Sequence, residues 1–353
     1  MDLDQPQSFH KIDRENMLEL IQGLPGQLEL AWRLGVNFEL PELKSVSQIL
    51  IAGMGGSAIG GDLITAYIRH ISSVPVIVYR DYGLPDWAKQ PGSLVVASSH
   101  SGNTEETLSA YREARKYSIQ RMVICTGGKL AEMAREDGCG IWQFEHHGQP
   151  RSAVGFSFGL LLALLCRLGL AAGQEKAIQN ALSSMKLQQA GLEPEQPILK
   201  NPAKQMALRF SDKLPVLFGA DLLAPVARRW KGQINELAKH WAQAEEIPEA
   251  DHNLLAGSQY PQLLQVNMKF VFLSASTEHE RNKLRVKLTH DILREKKLDT
   301  EIFEAAGEDA LSNLWTTLHF GDYLAYYMAL IKNVDPTPIE VMTGLKKALQ
   351  NYK

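Results

Sequence analysis

Two short segments carry residue types able to hold an anion: Gly53-Met54-Gly55-Gly56-Ser57 and Ser98-Ser99-His100-Ser101-Gly102-Asn103-Thr104. Glycines let the backbone approach an anion closely, and the start of a helix offers free N–H groups with partial positive charge. Ser57, Ser99, Ser101 and Thr104 add neutral hydroxyl donors. Hydroxyl residues this dense, with a glycine among them, suit a compact dianion such as a phosphomonoester. A plainer reading makes the serines and threonine helix caps and the glycines turns. Two such loops, each after a strand of one sheet, favour the anion. A third reading takes Gly53, Gly55 and Ala58 as a dinucleotide fingerprint, with Asp81 placed for a ribose contact. It leaves the Ser99–Thr104 loop unexplained.

The elements that must position these loops follow from the hydrophobic pattern. Short apolar runs at Gln48–Ala52, Val74–Tyr79, Leu94–Ser98, Met122–Cys125 and Ile141–Phe144 predict strands. Helical spacing over Ser57–His70 and Thr104–Tyr117 alternates with them, which predicts a parallel sheet covered on both faces. Ligands of such sheets bind at the carboxyl ends of the strands, near the switch in strand order. A lead-in helical segment, Asp13–Leu34, is interrupted at Pro25-Gly26, and Ala153–Cys166 reads as a buried helix. A polar, proline-bearing linker is expected over Leu187–Lys200. A second α/β set follows. Strands are predicted at Leu214–Gly219, Lys269–Leu273 and Asp299–Phe303, and helices at Leu222–His240, Thr277–Lys297, Ala310–Lys332 and Pro338–Asn351. Two domains, 1–192 and 193–353, fit a chain of 353 residues. The second copy of the first turn reads Gly219-Ala220-Asp221-Leu222 and lacks the Gly-Gly-Ser, so two similar folds and one phosphate site are expected.

The bulk numbers bound the function. Net charge is −3 and there is no basic block, which argues against nucleic acid. Cys125, Cys139 and Cys166 show no paired or CxxC spacing, as expected in a reducing compartment. The polar N-terminal stretch lacks the features of a signal peptide, and the most apolar run falls short of the roughly 20 residues of a membrane span; a cytoplasmic, membrane-free protein is expected. His146-His147 is not spaced for one helix face, and Glu236 with His240 lacks further ligands, so neither metal nor cofactor is implied.

GMGGSAIGGD with SSHSGNTEET resembles the phosphosugar-binding signature of SIS (sugar isomerase) domains. Within that superfamily the chain resembles the bifunctional phosphoglucose/phosphomannose isomerases. The resemblance runs through Gln149-Pro150-Arg151, Asn201–Lys204, Trp230–Lys239, Asp251-His252-Asn253 and Asp335-Pro336-Thr337-Pro338, in order over nearly the whole chain. It implies two doubly wound, flavodoxin-like three-layer α/β/α domains with C-terminal helices. The implied activity is metal-free interconversion of glucose 6-phosphate and mannose 6-phosphate with fructose 6-phosphate. Gly55, Gly56, Ser57, Ser99, Ser101 and Thr104 would hold the phosphate. Glu236 matches the family's catalytic base, although Leu237 follows it where a polar residue is usual. Arg151 matches the arginine that steadies the enediolate. His252 matches the ring-opening histidine, delivered from the partner of a homodimer. Lys346, or its neighbour Lys347, matches the C-terminal site lysine, and Thr337 the residue that leaves room at C2. A SIS-fold sensor that binds a phosphosugar without turning it over remains the alternative of a different class.

Overall fold

The computed structural model describes residues 1–351. Strands β1 (Gln48–Ala52), β2 (Val76–Tyr79), β3 (Ser93–Ser99), β4 (Gln120–Cys125) and β5 (Gly140–Gln143) form one sheet in the order β2-β1-β3-β4-β5. Every pairing is parallel, with Ile51 opposite Val78 on one side and Val96 on the other. Strands β6 (Leu214–Ala220), β7 (Gln243–Ile247), β8 (Met268–Ser274) and β9 (Thr300–Glu304) form the second sheet, in the order β7-β6-β8-β9. It too is parallel and repeats the winding of the first. The switch in strand order falls between β1 and β3, and again between β6 and β8. The loops after β1 and β3 therefore flank one crevice, as doubly wound sheets require.

β3 is buried at every position, as a strand covered on both faces must be. The helix Val154–Arg167 is buried almost throughout, and Ala310–Ile331 is buried along nearly all of its length. The latter packs against the helices Glu175–Gln189, Pro202–Phe210 and Ala224–Leu237. One apolar cluster runs from Ile49 and Leu94 in the first sheet to Trp230, Trp315 and Leu217 in the second half. Among the described residues no helix is long and apolar enough to cross a membrane.

Three local expectations change. The lead-in break lies at Gly23, between helices Met17–Gln22 and Leu24–Asn37. Pro25 sits in the first turn of the second helix, where its missing N–H costs nothing. The helix Glu175–Gln189 extends into the expected linker. β7, with Glu245 and Glu246, has no apolar run to announce it; as an edge strand it tolerates charge. The remaining linker is fastened by Lys204, which is fully buried. Its ammonium donates to the carbonyls of Leu3 (2.6 Å), Pro194 (2.7 Å) and Gln196 (2.7 Å). Within Asn201-Pro202-Ala203-Lys204, Asn201 caps the helix by accepting from the N–H groups of Ala203 and Lys204. That motif is a structural lock.

Candidate active site

The helix Gly55–Ile68 begins directly after the β1 turn, and no side chain caps it. Gly55 has φ +52°, and a Cβ there would point into open space. Only glycine adopts this conformation freely while leaving the approach clear. Gly56 is required for a different reason. A Cβ on it would stand 2.4 Å from the carbonyl oxygen of Pro150 and 3.3 Å from Cα of Arg151. The missing side chain lets the Gln149-Pro150-Arg151 turn press against the start of the helix.

The β3 loop is knitted to the β1 turn. The N–H of His100 donates to Ser57 Oγ at 3.2 Å. Thr104 occupies the N-cap of helix Glu105–Lys116 without capping it. Its hydroxyl pairs with that of Ser99 at 2.9 Å, and Ser99 Oγ accepts from the N–H of Gly102 at 3.1 Å. Ser101 Oγ, exposed, accepts from the N–H of Asn103. The plain cap reading of these hydroxyls therefore fails for Thr104. Behind the loop the rings of His100 and His146 share a hydrogen bond of 2.9 Å. Burial, and then the charges of its neighbours His100 and His147, push His146 down to about 4.

A cavity of about 390 Å³ opens from Gly55 and Gly56 toward the helix Ala224–Leu237, and both Arg151 and Glu236 line it. Arg151 is buried, and its Nη1 lies 3.7 Å from Oε2 of Glu236, whose side chain is 31% exposed. Nη2 of Arg151 donates to the carbonyls of Pro336 (3.0 Å) and Thr337. Arg229, itself paired with buried Asp322 at 2.9 Å, donates to the carbonyl of Arg151 at 2.8 Å. The guanidinium is thus held through Nη2 with Nη1 toward Glu236, while its buried Nε has no hydrogen-bond partner among the described residues. Burial lowers its pKa, against the pull of Glu236, and the group remains a cation.

Helix Ala224–Leu237 ends just beyond Glu236, and Lys239 turns the chain there with φ +51°. Its ammonium ties the carbonyl of Glu236 (2.8 Å) to that of Asp335 (2.7 Å). Burial, and then the charge of Arg151, lower Lys239 to about 8. Thr337 is buried, and its Oγ1 has no hydrogen-bond partner.

Gly55, Gly56, Arg151 and Glu236 thus line one cavity; Ser57, Ser99, Ser101 and Thr104 are outside its lining, and Thr337 is joined to it through its carbonyl, which accepts from Arg151. Lys346 lies on the exposed helix Glu340–Asn351, one turn beyond the cavity-lining Met342 and on the same face. His252 does not line the cavity. It sits on the turn Glu249–His252, exposed, and among the described residues nothing hydrogen-bonds its ring. Asp251 anchors that turn by accepting from Arg285 (2.9 Å) and Thr289 (2.7 Å). The second switch point carries carboxylates instead of a cradle. Asp221, φ +40°, stands where the first half has Gly55, and Arg69 holds it at 2.8 Å. Buried Glu278 is pushed up to about 8, chiefly by its burial and further by the charges of Asp221 and Glu304. Sequence reasoning missed Arg80, Arg228 and Lys231, which line the cavity's outer side. Their signal is the Arg228–Lys231 run and an arginine placed directly after β2.

Comparison with known proteins decides the family. The description "SIS domain" matches residues 42–147, and "Bacterial phospho-glucose isomerase C-terminal SIS domain" matches residues 199–349. A bifunctional phosphoglucose/phosphomannose isomerase of Caldicellulosiruptor bescii is 35% identical over 96% of this chain and the whole of the relative. The chain belongs to the bifunctional phosphoglucose/phosphomannose isomerase family. One of the same name from Aquifex aeolicus is 33% identical over 96% of this chain and 99% of its own. Among solved structures, tagatose-6-phosphate ketose/aldose isomerase from Escherichia coli matches with TM-score 0.70 at 15% identity, covering 91% of this chain and 94% of that one. That likeness concerns the fold. As a member of this family the chain is a sugar-phosphate isomerase.

The contact at Gly56 gives a direct test. Gly56→Ala is expected to lower kcat about tenfold or more by displacing Arg151, because a 1 Å error in a reacting group costs about 10²-fold. Steady-state kinetics beside a melting curve check it; unchanged kcat in a folded variant would mean that the close approach does not position Arg151.

Proposed function

We propose that this enzyme interconverts glucose 6-phosphate and mannose 6-phosphate with fructose 6-phosphate through an enediolate, without a metal. The observation that carries the proposal is the Arg151–Glu236 pair in a cavity that reaches the Gly55-Gly56 turn. The phosphate is held by the Gly55 and Gly56 backbone and by Ser57, Ser99, Ser101 and Thr104. Glu236 takes the proton from C2 of the aldose, and the electron pair moves toward the carbonyl oxygen at C1. Arg151 steadies the resulting oxyanion, as a fixed cation at low dielectric does best. The hydroxyl proton on O2 then passes to O1, and the carboxylic acid of Glu236 returns the abstracted proton to C1 as the C2 carbonyl forms, giving the ketose. In reverse, C1 loses its proton and C2 regains one; return to its other face yields the mannose epimer, and Thr337 leaves the room for it.

Ring opening precedes this step. We assign it to His252 from the partner of a homodimer, with Lys346 assisting at a sugar hydroxyl. The exposed turn of His252 and its absence from the cavity's lining support delivery across an interface. Trp241, Tyr260, Leu263 and Val266 nearby in the chain, and Val341, Leu345 and Leu349 on the last helix, are large apolar side chains left exposed. A second copy would cover such surface. Free Cys125, Cys139 and Cys166 support a cytoplasmic location.

The test is incubation with fructose 6-phosphate in excess EDTA, with products resolved by NMR. Formation of both aldose phosphates is expected. A single product would remove the dual role of Thr337, and no product would remove the metal-free mechanism.

A further inference from the structure

The cavity holds more positive charge than the proposed reaction uses. Arg80, Arg151, Arg228, Arg229 and Lys231 line it, and Glu236 is the carboxylate in its wall. Asp322 neutralises Arg229, and Arg151 faces Glu236. Of the remaining three cations, Arg80 and Arg228 share one carboxylate, and among the described residues Lys231 makes no ion pair. Arg80 and Arg228 both reach the same oxygen of Asp62, Arg228 at 2.7 Å. Asp62 is largely buried, whereas the side chains of Arg80 and Arg228 are 36% and 50% exposed. They therefore form the outer rim of the cavity, opposite in character to the buried Arg151. Arg228, Lys231 and Asn235 follow one face of the helix Ala224–Leu237, at spacings of three and four. The substrate's own phosphate is assigned to neutral donors in the serine loops, and the single oxyanion of the reaction to Arg151. The rim has no task in that scheme, yet it concentrates guanidinium groups, the side chains best shaped for phosphate.

We propose that Arg80, Arg228 and Lys231 form a subsite for a second phosphomonoester group, so that sugar bisphosphates are ligands of this cavity. This rests on the serine loops being the seat of the first phosphate. A bisphosphate spans loops and rim and occludes the Arg151–Glu236 pair between them, which makes it a competitive inhibitor of the isomerase.

The experiment is calorimetric titration of the full chain with fructose 1,6-bisphosphate and, separately, fructose 6-phosphate. The bisphosphate is expected to bind about tenfold tighter at low salt, as a second charge-assisted contact allows. Arg228→Gln and Arg80→Gln are each expected to erase about that tenfold gain while leaving fructose 6-phosphate affinity within about twofold. Asp62→Asn frees both guanidinium groups and is expected to tighten bisphosphate binding. A purely structural tie between the halves would move all three variants in one direction. Equal affinity of the two ligands for the unaltered protein overturns the proposal. So does a loss of fructose 6-phosphate affinity in Arg228→Gln matching the loss for the bisphosphate, since the rim would then be the substrate's own phosphate seat. Because fructose 6-phosphate is a proposed substrate, the sugars are resolved by NMR after each titration, so a failure of the isomerase reading shows separately, as fructose 6-phosphate bound and unconverted.

Discussion

Glu236→Gln is expected to lower kcat by roughly 10³-fold while KM stays within a few-fold, the size of effect that a positioned general base supplies. Glutamine keeps the volume of the side chain and an oxygen for Arg151, so the 3.7 Å contact has a substitute. What it lacks is the basic lone pair that takes the proton from carbon. Exchange of the C2 hydrogen of glucose 6-phosphate with deuterium from solvent should stop together with turnover. Binding of fructose 6-phosphate should persist, because the phosphate loops stand on other elements. A variant that keeps turnover within tenfold would show that another group moves the proton.

The second large effect concerns His252. His252→Ala should abolish turnover of the cyclic sugars and largely spare an open-chain analogue, since ring opening is its assigned step. Across an interface the defect also becomes complementable. Glu236→Gln lacks the base but supplies a good histidine to its partner; His252→Ala lacks the histidine but keeps a good base. When the two inactive variants are refolded together, about half of the dimers are mixed and each has one intact site, so about a quarter of normal specific activity returns. Recovery would tie the function to the dimer. A mixture as inactive as its parents would place the action of His252 within its own chain or remove it from the reaction.

Legibility in the sequence followed the distance over which residues cooperate. The two loops could be read because their glycines and hydroxyls are near neighbours along the chain and follow apolar runs. β1, β3 and β8 could be read because strands buried on both faces carry a continuous apolar run at their centre. β7 could not, since an edge strand with two glutamates lacks that signature. Arg151 and Glu236 lie 85 positions apart, and nothing local announces that they meet; only the resemblance connected them. The rim is harder still. Arg80, Asp62 and Arg228 come from the end of β2 and from one helix in each half, and no spacing rule relates them. Thr104 shows the opposite hazard: its position invites a cap, and the fold gives its hydroxyl to Ser99.

The apolar cluster that runs unbroken from Ile49 to Trp315 bears on how the molecule comes apart. Two parallel sheets with separate cores would melt as two bodies and swing about a joint while intact. Here the helix Ala310–Ile331 is interior to both halves, so loosening either one strips contacts from the other. Denaturation is then expected to be a single cooperative event in calorimetry, the behaviour usual for chains half this long; two resolved transitions would show that the smaller clusters under each sheet hold on their own. The same rigidity bears on turnover. On the proposed reading the first half grips the phosphate and the second half carries the base, and the helix Ala310–Ile331, packed against helices of both, ties the two into one frame.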